Sequence, residues 1–271
     1  MSSAAETRRI ALLVEYDGTQ FVGSQSQLGQ RTVQDTLEAA VMQFTGEQQR
    51  LRFAGRTDSG VHARGQVATL ETSTRHEPAR WVAALNRFLP ADVAVRTACE
   101  VTTDFDPRRS AQSRCYTYAI EDGRSRSPLT QRQAWQSEAA LDVAAMSLAA
   151  SLLPTELRDW SAFSGPLEPG RSPMRTLQAC TVRRLATHRV QVSMEAESFL
   201  PHQVRRTVGA LRDVGMGRLT PQAFAGLLDS PPASVGPAAP PQGLTLVAVR
   251  YARGMVDWHD NEDLSTACGE L

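Results

Sequence analysis

The sequence predicts an α+β fold built from two similar halves, each with several strands and helices. Three observations predict this class. The chain has 271 residues, of which 41% are hydrophobic and 21% charged, so it is long enough to bury one large core or two of ordinary size. Strand-like stretches outnumber helical ones, and the helices fall between them. A similar inventory of strands and helices recurs after a division near residues 105–112.

The first half begins with a strand, a turn and a helix. Residues 9–16 have the apolar pattern of a strand, and Asp17-Gly18 indicates the turn that follows it. Thr32 has the position of a helix N-cap, Asp35 that of its capping-box partner and Gly46 that of the helix stop. Further strands are predicted at 51–54, 66–70 and 92–97, and a second helix at 78–88.

The second half has the same kinds of element. Strands are predicted at 116–120, 176–182, 188–194 and 244–251, and helices at 139–153, 200–214 and 221–228. The segment 230–241 is rich in Pro and Ala and is expected to be a loop. The domain division is therefore an N-terminal half, 1–108, a C-terminal half, 109–253, and an acidic tail, 254–271, that is expected to be disordered.

Composition argues against several classes of protein. No apolar run approaches the roughly 20 residues that span a bilayer, and the N-terminus lacks the apolar segment of a signal peptide. We therefore expect a cytoplasmic protein without membrane association. The cysteines form no C-x-x-C pair and have no His partner at metal-ligand spacing, so no metal site is predicted.

The formal net charge is zero, but the charges are unevenly distributed along the chain. Residues 1–253 hold all 29 Lys and Arg residues and 24 of the acidic ones. After residue 253 there are acidic residues but no Lys or Arg. Between residues 171 and 218 there are nine arginines and three acidic residues. A nucleic-acid partner and a solvated basic face would both explain this distribution, and charge alone does not choose between them.

The segment 55–66, with the sequence GRTDSGVHARGQ, carries the strongest chemical signal. Its three glycines allow tight turns, which can place the short carboxylate of Asp58 near N–H groups that keep it ionised. Such a carboxylate can act as a nucleophile or a general base. From these residues alone, Asp58 could equally cap a turn and Arg56 could be its structural partner. Both interpretations stay open at this point.

The loop resembles the signature of the TruA family of tRNA pseudouridine synthases, approximately GRTDxGVHA, without a break. The resemblance runs in order from about residue 8 to 252, through 15–19 (EYDGT), 86–95 (NRFLPADVAV), 114–118 (RCYTY), 199–205 (FLPHQVR) and 240–251. It implies the pseudouridine synthase fold, in which two similar α/β halves with largely antiparallel sheets have the active-site cleft between them.

The resemblance also implies roles for individual residues. Asp58 is expected to be the nucleophile and Arg205 the basic residue that pairs with it. Arg56 is expected to enter the RNA where the target base leaves, and Tyr116 to pack on that base and to be a candidate for moving its C5 proton. The residues expected to bind RNA are Arg56, Tyr116, His202, Arg206, Arg109 and Arg114.

The implied reaction is isomerisation of a flipped-out uridine to pseudouridine in the anticodon stem-loop of tRNAs, at positions 38, 39 and 40. It requires no cofactor and no metal. The partners implied are tRNA and a second copy of the chain in a homodimer.

The chain departs from the family pattern in two places. Gly23-Ser24-Gln25 stands where the family usually reads GWQ, and 203–206 (QVRR) stands where it reads MVRN. Loss of the Trp removes a large apolar anchor from the loop after the first strand.

Two other functions compete with this interpretation. An RNA-binding protein without turnover would not require a carboxylate among RNA phosphates. A hydrolase that uses Asp58, Ser59 and His62 would lack the G-x-S-x-G elbow, and three such neighbours in one loop could hardly form a triad.

Overall fold

The computed structural model describes residues 7–123 and 125–258. These residues divide into two compact units. The first unit contains 7–112 together with 246–258, and the second contains 113–245. The last strand therefore lies mainly in the first unit, whereas the division predicted from the sequence assigned it to the C-terminal half.

The elements follow one another in an order that mixes strands and helices. The strands are β1 (Arg8–Tyr16), β2 (Arg52–Phe53), β3 (His62–Thr72), β4 (Val93–Val101), β5 (Ala111–Asp122), β6 (Trp135–Ser137), β7 (Leu157–Asp159), β8 (Met174–Ala186), β9 (Arg189–Ala196) and β10 (Leu244–Tyr251). The helices are α1 (Val33–Thr45), α2 (Pro78–Phe88), α3 (Val143–Ser151), α4 (Gln203–Gly215) and α5 (Pro221–Gly226). None of the helices in the described part of the chain is long and apolar enough to span a membrane.

The sheet of the first unit has the strand order β4-β1-β3-β10, with β2 on β3. Strand β1 pairs antiparallel with both β3 and β4, and its central residues, Ile10–Val14, are at most 1% exposed. Helix α1 forms where its caps predict. Thr32 Oγ1 accepts the N–H of Asp35 at 3.2 Å, and Gly46 ends the helix in the left-handed conformation at φ 72°. The capping signals of the sequence are confirmed here.

An apolar cluster of the first unit contacts two residues of the predicted acidic tail. Ala11 and Cys99, which are partners in the β1–β4 pair, lie in this cluster with Val101 and Phe105. Tyr251, Val256 and Trp258 pack against it. Val256 and Trp258 of the predicted tail therefore pack on the core of this unit, and residues 259–271 lie outside the described part of the chain.

The sheet of the second unit has the order β5-β9-β8-β7, all antiparallel, and β6 pairs in parallel with the end of β5. Helix α3 begins at Val143, later than the predicted residue 139, because Asp142 is its N-cap and accepts the N–H of Ala145 at 2.9 Å. The short strands β6 and β7 were not predicted.

A buried carboxylate, Asp122, joins the end of β5 to β8. Its two oxygens accept the guanidinium of Arg184 at 2.9 and 2.8 Å, and Oδ2 also accepts the N–H of Leu141 at 2.8 Å. The side chain of Asp122 is 2% exposed. The hydrogen bonds from Arg184 hold the pKa of Asp122 below its usual range.

We expect Asp122→Asn to destabilise the protein by about 1–3 kcal/mol at neutral pH, because Arg184 loses a charged partner. A carboxyl whose pKa is depressed by folding stabilises the protein above its unfolded pKa, about 3.9, and that stability is lost as the pH falls through the folded pKa. Thermal melts of both proteins along a pH series should show a difference in melting temperature that is largest near neutrality and disappears in acid. A difference that stays constant into acid would contradict this role of Asp122.

Candidate active site

The loop that carries Asp58 connects β2 to β3 and turns sharply just after Asp58. Val61 donates its N–H to the carbonyl of Asp58 at 3.2 Å, which closes a four-residue turn. Gly60, the third residue of the turn, has φ 77°, a conformation that favours glycine. Asp58 is half-buried at the first position of this turn, and Arg56 and Ser59 on either side are exposed. The backbone of Asp58 is thus fixed while its side chain stays accessible.

Two buried side chains hold the beginning of this loop. The phenol of Tyr16, on β1, lies 2.8 Å from Thr57 Oγ1. Gln66, on β3, donates from Nε2 to the carbonyl of Gly55 at 2.9 Å. Burial raises the pKa of Tyr16 to about 12, so its phenol stays neutral at physiological pH. Polar groups of β1 and β3 thereby fix the two residues that flank Arg56.

The loop after β1 holds the other end. Gly18 lies so close to Val61 that a Cβ on Gly18 would be 2.0 Å from the Val61 carbonyl oxygen. The carbonyl of Phe21 accepts the N–H of Gly60 and the hydroxyl of Ser59, both at 3.2 Å. His62 Nδ1 accepts the N–H of Gly18 at 3.1 Å. Ser59 and His62 therefore make contacts that shape the loop.

Arg109 is the other predicted RNA contact in the first unit. It lies in an exposed turn where Asp106 Oδ1 accepts the N–H groups of both Arg108 and Arg109, at 2.9 Å each. The carboxylate of Asp106 caps this turn. The hydrogen bond to Asp106 fixes the main chain at Arg109, and Arg109 itself is exposed at the surface.

Tyr116 and Arg205 belong to the second unit. Tyr116 lies on β5, is 9% exposed, and packs edge-to-face on Phe199 with ring centroids 5.4 Å apart. Arg205 lies on α4 and donates from Nε to the carbonyl of Ala239 at 2.7 Å. Ala239 in turn donates its N–H to the carbonyl of Arg205 at 3.0 Å. Both predicted residues are therefore held by neighbours in their own unit.

Two other predicted RNA contacts of this unit, Arg114 and Arg206, bind main-chain carbonyls. Arg114 is 7% exposed and donates to the carbonyl of Glu197 at 2.7 Å. Arg206 donates to the carbonyls of Ala233 and Val235, at 3.0 and 2.5 Å. Both guanidinium groups thus hold main chain of their own unit.

His202 is exposed and is the N-cap of α4, with the left-handed φ of 61°. A non-glycine residue in this conformation is strained, and such strain is found preferentially at functional sites. The strained residue lies one turn before Arg205 on the same helix.

We expect Tyr16→Phe to remove one of the contacts that hold the loop without unfolding the protein. The buried hydroxyl of Thr57 loses its partner on β1, which costs about 1–3 kcal/mol. The expected result is a lower melting temperature together with a severalfold loss of catalytic rate. Melting curves and steady-state kinetics measure the two effects; full activity in Tyr16→Phe would show that this contact does not hold the loop.

Comparison with known proteins identifies the family. A family model described as tRNA pseudouridine synthase matches residues 12–108 and 157–252, parts of both units. The chain belongs to this family. The predicted fold class, α+β with largely antiparallel sheets, is thereby confirmed.

Several curated members of the tRNA pseudouridine synthase family match most of the chain. It is 44% identical over 250 residues to tRNA pseudouridine synthase A of Roseiflexus castenholzii, which covers 90% of this chain and 91% of that protein. It is 42% identical over 259 residues to the protein of that name from Chloroflexus aurantiacus, covering 93% and 91%. It is 40% identical over 245 residues to the one from Geobacter sulfurreducens, covering 90% and 100%.

Sequence reasoning missed the residues that support the loop in this member of the family. Tyr16 and Gln66 are 3% and 0% exposed, yet both are polar and lie at buried positions of strands β1 and β3. A polar residue at an inward position of a buried strand requires a hydrogen-bond partner, and that was the available signal. The identity of the partners, Thr57 and Gly55, could not be read from the sequence.

Proposed function

We propose that this chain is an isomerase that converts uridine to pseudouridine in tRNA, with Asp58 as its nucleophile. The family match and the names of its relatives support the reaction. The observation that carries the assignment of Asp58 is its anchored loop. Thr57 is bound through its hydroxyl, the turn after Asp58 is closed by Val61, and the carboxylate itself is only half-buried. Such a carboxylate is positioned in advance for a bound base.

The reaction balances without an added reagent. The N1–C1′ bond of the uridine breaks, the uracil turns while it is held, and C5 bonds to C1′. The proton on C5 leaves and N1 gains one, so the product is an isomer and no net oxidation occurs. A carboxylate can start this sequence by attack on C1′, by attack on C6 or by removal of a ribose proton, and each route uses Asp58. We propose that no cofactor takes part.

Arg56 is proposed to stabilise the RNA from which the uridine has been removed. A base in a stem must be flipped out before any side chain reaches its C1′ or C6, at a cost of a few kcal/mol. Arg56 is exposed and lies two residues from Asp58 on the same anchored loop. Its guanidinium can fill the space left by the base and bind a phosphate, which offsets part of that cost.

Tyr116 is proposed to pack on the target uracil. Its ring is fixed edge-to-face against Phe199, so its orientation requires little ordering when a base binds. A phenol is also suited to move the C5 proton, the second role that the resemblance implies. Arg205, whose Nε is fixed on Ala239, is proposed to pair with the catalytic aspartate.

The substrate proposed is the anticodon stem-loop of tRNAs, with uridines at positions 38, 39 and 40 as targets. We also propose a cytoplasmic homodimer. Among the remaining RNA contacts, Arg109 and His202 are supported by their exposure. Arg114 and Arg206 bind main-chain carbonyls of their own unit and are also proposed to contact the RNA. Binding through arginines predicts an affinity for tRNA that falls steeply with salt.

The test of this proposal is turnover on an unmodified tRNA transcript. The purified chain should form more than one pseudouridine per protein molecule, measured by digestion to nucleosides and chromatography. A transcript with cytidine at positions 38, 39 and 40 is the control, and it should yield no product. Binding of tRNA without any pseudouridine would favour the alternative, an RNA-binding protein. Product from the control transcript would contradict only the proposed positions.

A further inference from the structure

Ser24 makes two hydrogen bonds to the residue that precedes Asp58. Its Oγ accepts the N–H of Thr57 at 2.9 Å, and its own N–H donates to the carbonyl of Thr57 at 3.1 Å. Ser24 is 1% exposed and Thr57 is 6% exposed. The carbonyl of Thr57 belongs to the peptide group that leads directly into Asp58. Ser24 therefore fixes both main-chain polar groups of Thr57.

Ser24 is itself fixed by a helix. Gln34, in the first turn of α1, donates its N–H to the carbonyl of Ser24 at 3.0 Å. The side chain of Gln34 also accepts the N–H of Ser26 at 3.0 Å and donates to the carbonyl of Leu51 at 3.1 Å. These bonds tie the residues around Ser24 to the start of α1, which Thr32 caps. Helix α1 therefore fixes Ser24, and Ser24 in turn fixes Thr57.

The close approach of the segment around Ser24 to the segment around Thr57 depends on Gly23. It has φ 85°, and a Cβ at this position would lie 3.0 Å from the carbonyl oxygen of Thr57. A small residue at 23 and a small hydroxyl at 24 therefore let main chain lie against main chain. The Trp that the family usually has at position 24 offers no acceptor for the N–H of Thr57. In this chain a hydrogen-bonded contact replaces the apolar anchor.

We propose that Ser24 is a positioning residue for Asp58 and acts through Thr57. Without its Oγ, the buried N–H of Thr57 loses its acceptor and the main chain before Asp58 is free to shift. The contacts of Tyr16 and Gln66 with the loop stay, so the loop persists. A displacement of about 1 Å at a reacting group can lower a rate by about a hundredfold. This inference rests on the proposed role of Asp58.

The test compares Ser24→Ala with Ser24→Thr, which keeps the hydroxyl. Ser24→Ala should lower kcat by at least about tenfold and leave KM for tRNA nearly unchanged, because binding does not depend on the carboxylate's position. Ser24→Thr should recover most of kcat. Thr72→Val is the matched control: Thr72 is fully buried in the same unit, and its Oγ1 accepts the N–H of Thr74 at 3.1 Å at the opposite end of β3 from the loop. It should lose stability and keep kcat.

Each outcome decides for or against Ser24. A folded Ser24→Ala protein whose kcat falls by less than about tenfold would overturn the proposal, as would a folded Ser24→Thr protein that does not recover kcat, or an equal loss of kcat in Thr72→Val. If Ser24→Thr does not fold, amide exchange replaces it. The amide of Thr57 should then exchange faster in Ser24→Ala while amides of α1 do not, and unchanged exchange at Thr57 would overturn the proposal. Full activity of Asp58→Asn would refute the proposed nucleophile instead, which separates the two failures.

Discussion

Asp58→Asn is expected to lower the rate of pseudouridine formation by about a thousandfold or more, with fold and tRNA affinity preserved. The amide has nearly the shape of the carboxylate but is neither a nucleophile nor a base. The side chain is half-buried and its backbone is held by the turn to Val61, so the loop should keep its conformation. Single-turnover assays with excess protein measure the chemical step directly.

Asp104→Asn is a suitable control for this experiment. Asp104 is an exposed carboxylate of the same unit, outside the loop, so its loss changes the net charge equally. It should keep the wild-type rate. If Asp58→Asn reacted as fast as Asp104→Asn, the carboxylate of Asp58 would not be the nucleophile, and the turn-capping interpretation of Asp58 would be favoured.

Gly18→Ala is expected to have the second-largest effect, a loss of both stability and activity. The added Cβ would lie 2.0 Å from the carbonyl oxygen and 2.5 Å from the carbonyl carbon of Val61, and both are backbone atoms. The clash can be relieved only if the turn that contains Asp58 moves away from the loop after β1. We expect a destabilisation of several kcal/mol, in the range of about 3–5 for severe substitutions, and no measurable turnover.

Gly226→Ala is the control for backbone effects. Gly226 ends α5, and a Cβ there would meet no atom within 4 Å. Alanine should leave the stability unchanged or raise it by up to about 1 kcal/mol. Melting temperatures and turnover of both variants can be measured together. A Gly18→Ala protein with wild-type stability and turnover would show that the turn is not held by this contact.

Local signals in the sequence predicted the elements whose ends are fixed locally. The capping pair of Thr32 and Asp35, and Gly46 at the other end, gave α1 its observed bounds, and Pro78 gave the start of α2. Helix α3 begins four residues later than its apolar pattern suggests. The carboxylate of Asp122, at the end of β5, accepts the N–H of Leu141 and so holds the residues before the helix in a non-helical conformation.

The short strands show the limit of pattern reading. β6 and β7 have three residues each, too few for an alternating pattern to be recognised. β6 forms because Ile120 to Asp122 of β5 offers a partner edge, and β7 because β8 does. Such strands depend on pairing with residues far away in sequence, which the local sequence does not encode.

The candidate site also has a part that the local sequence predicts and a part that it does not. The loop with Arg56 and Asp58 was predicted because its residues are contiguous. Its support was not predicted, because Tyr16 and Ser24 are 41 and 33 residues away from Thr57 in the sequence. Ser24 was visible only as a departure from the family pattern, and the structure gives that departure a physical meaning.

Asp58 is proposed to be the residue that makes this chain an isomerase of tRNA uridines. The most direct measurement maps pseudouridine in tRNA from a strain that lacks the gene, complemented with either the wild-type chain or Asp58→Asn at equal protein levels. We expect pseudouridine at positions 38 to 40 to be absent without the gene, to return with the wild-type chain and to stay absent with Asp58→Asn. Restoration by both proteins, or by neither, would contradict it.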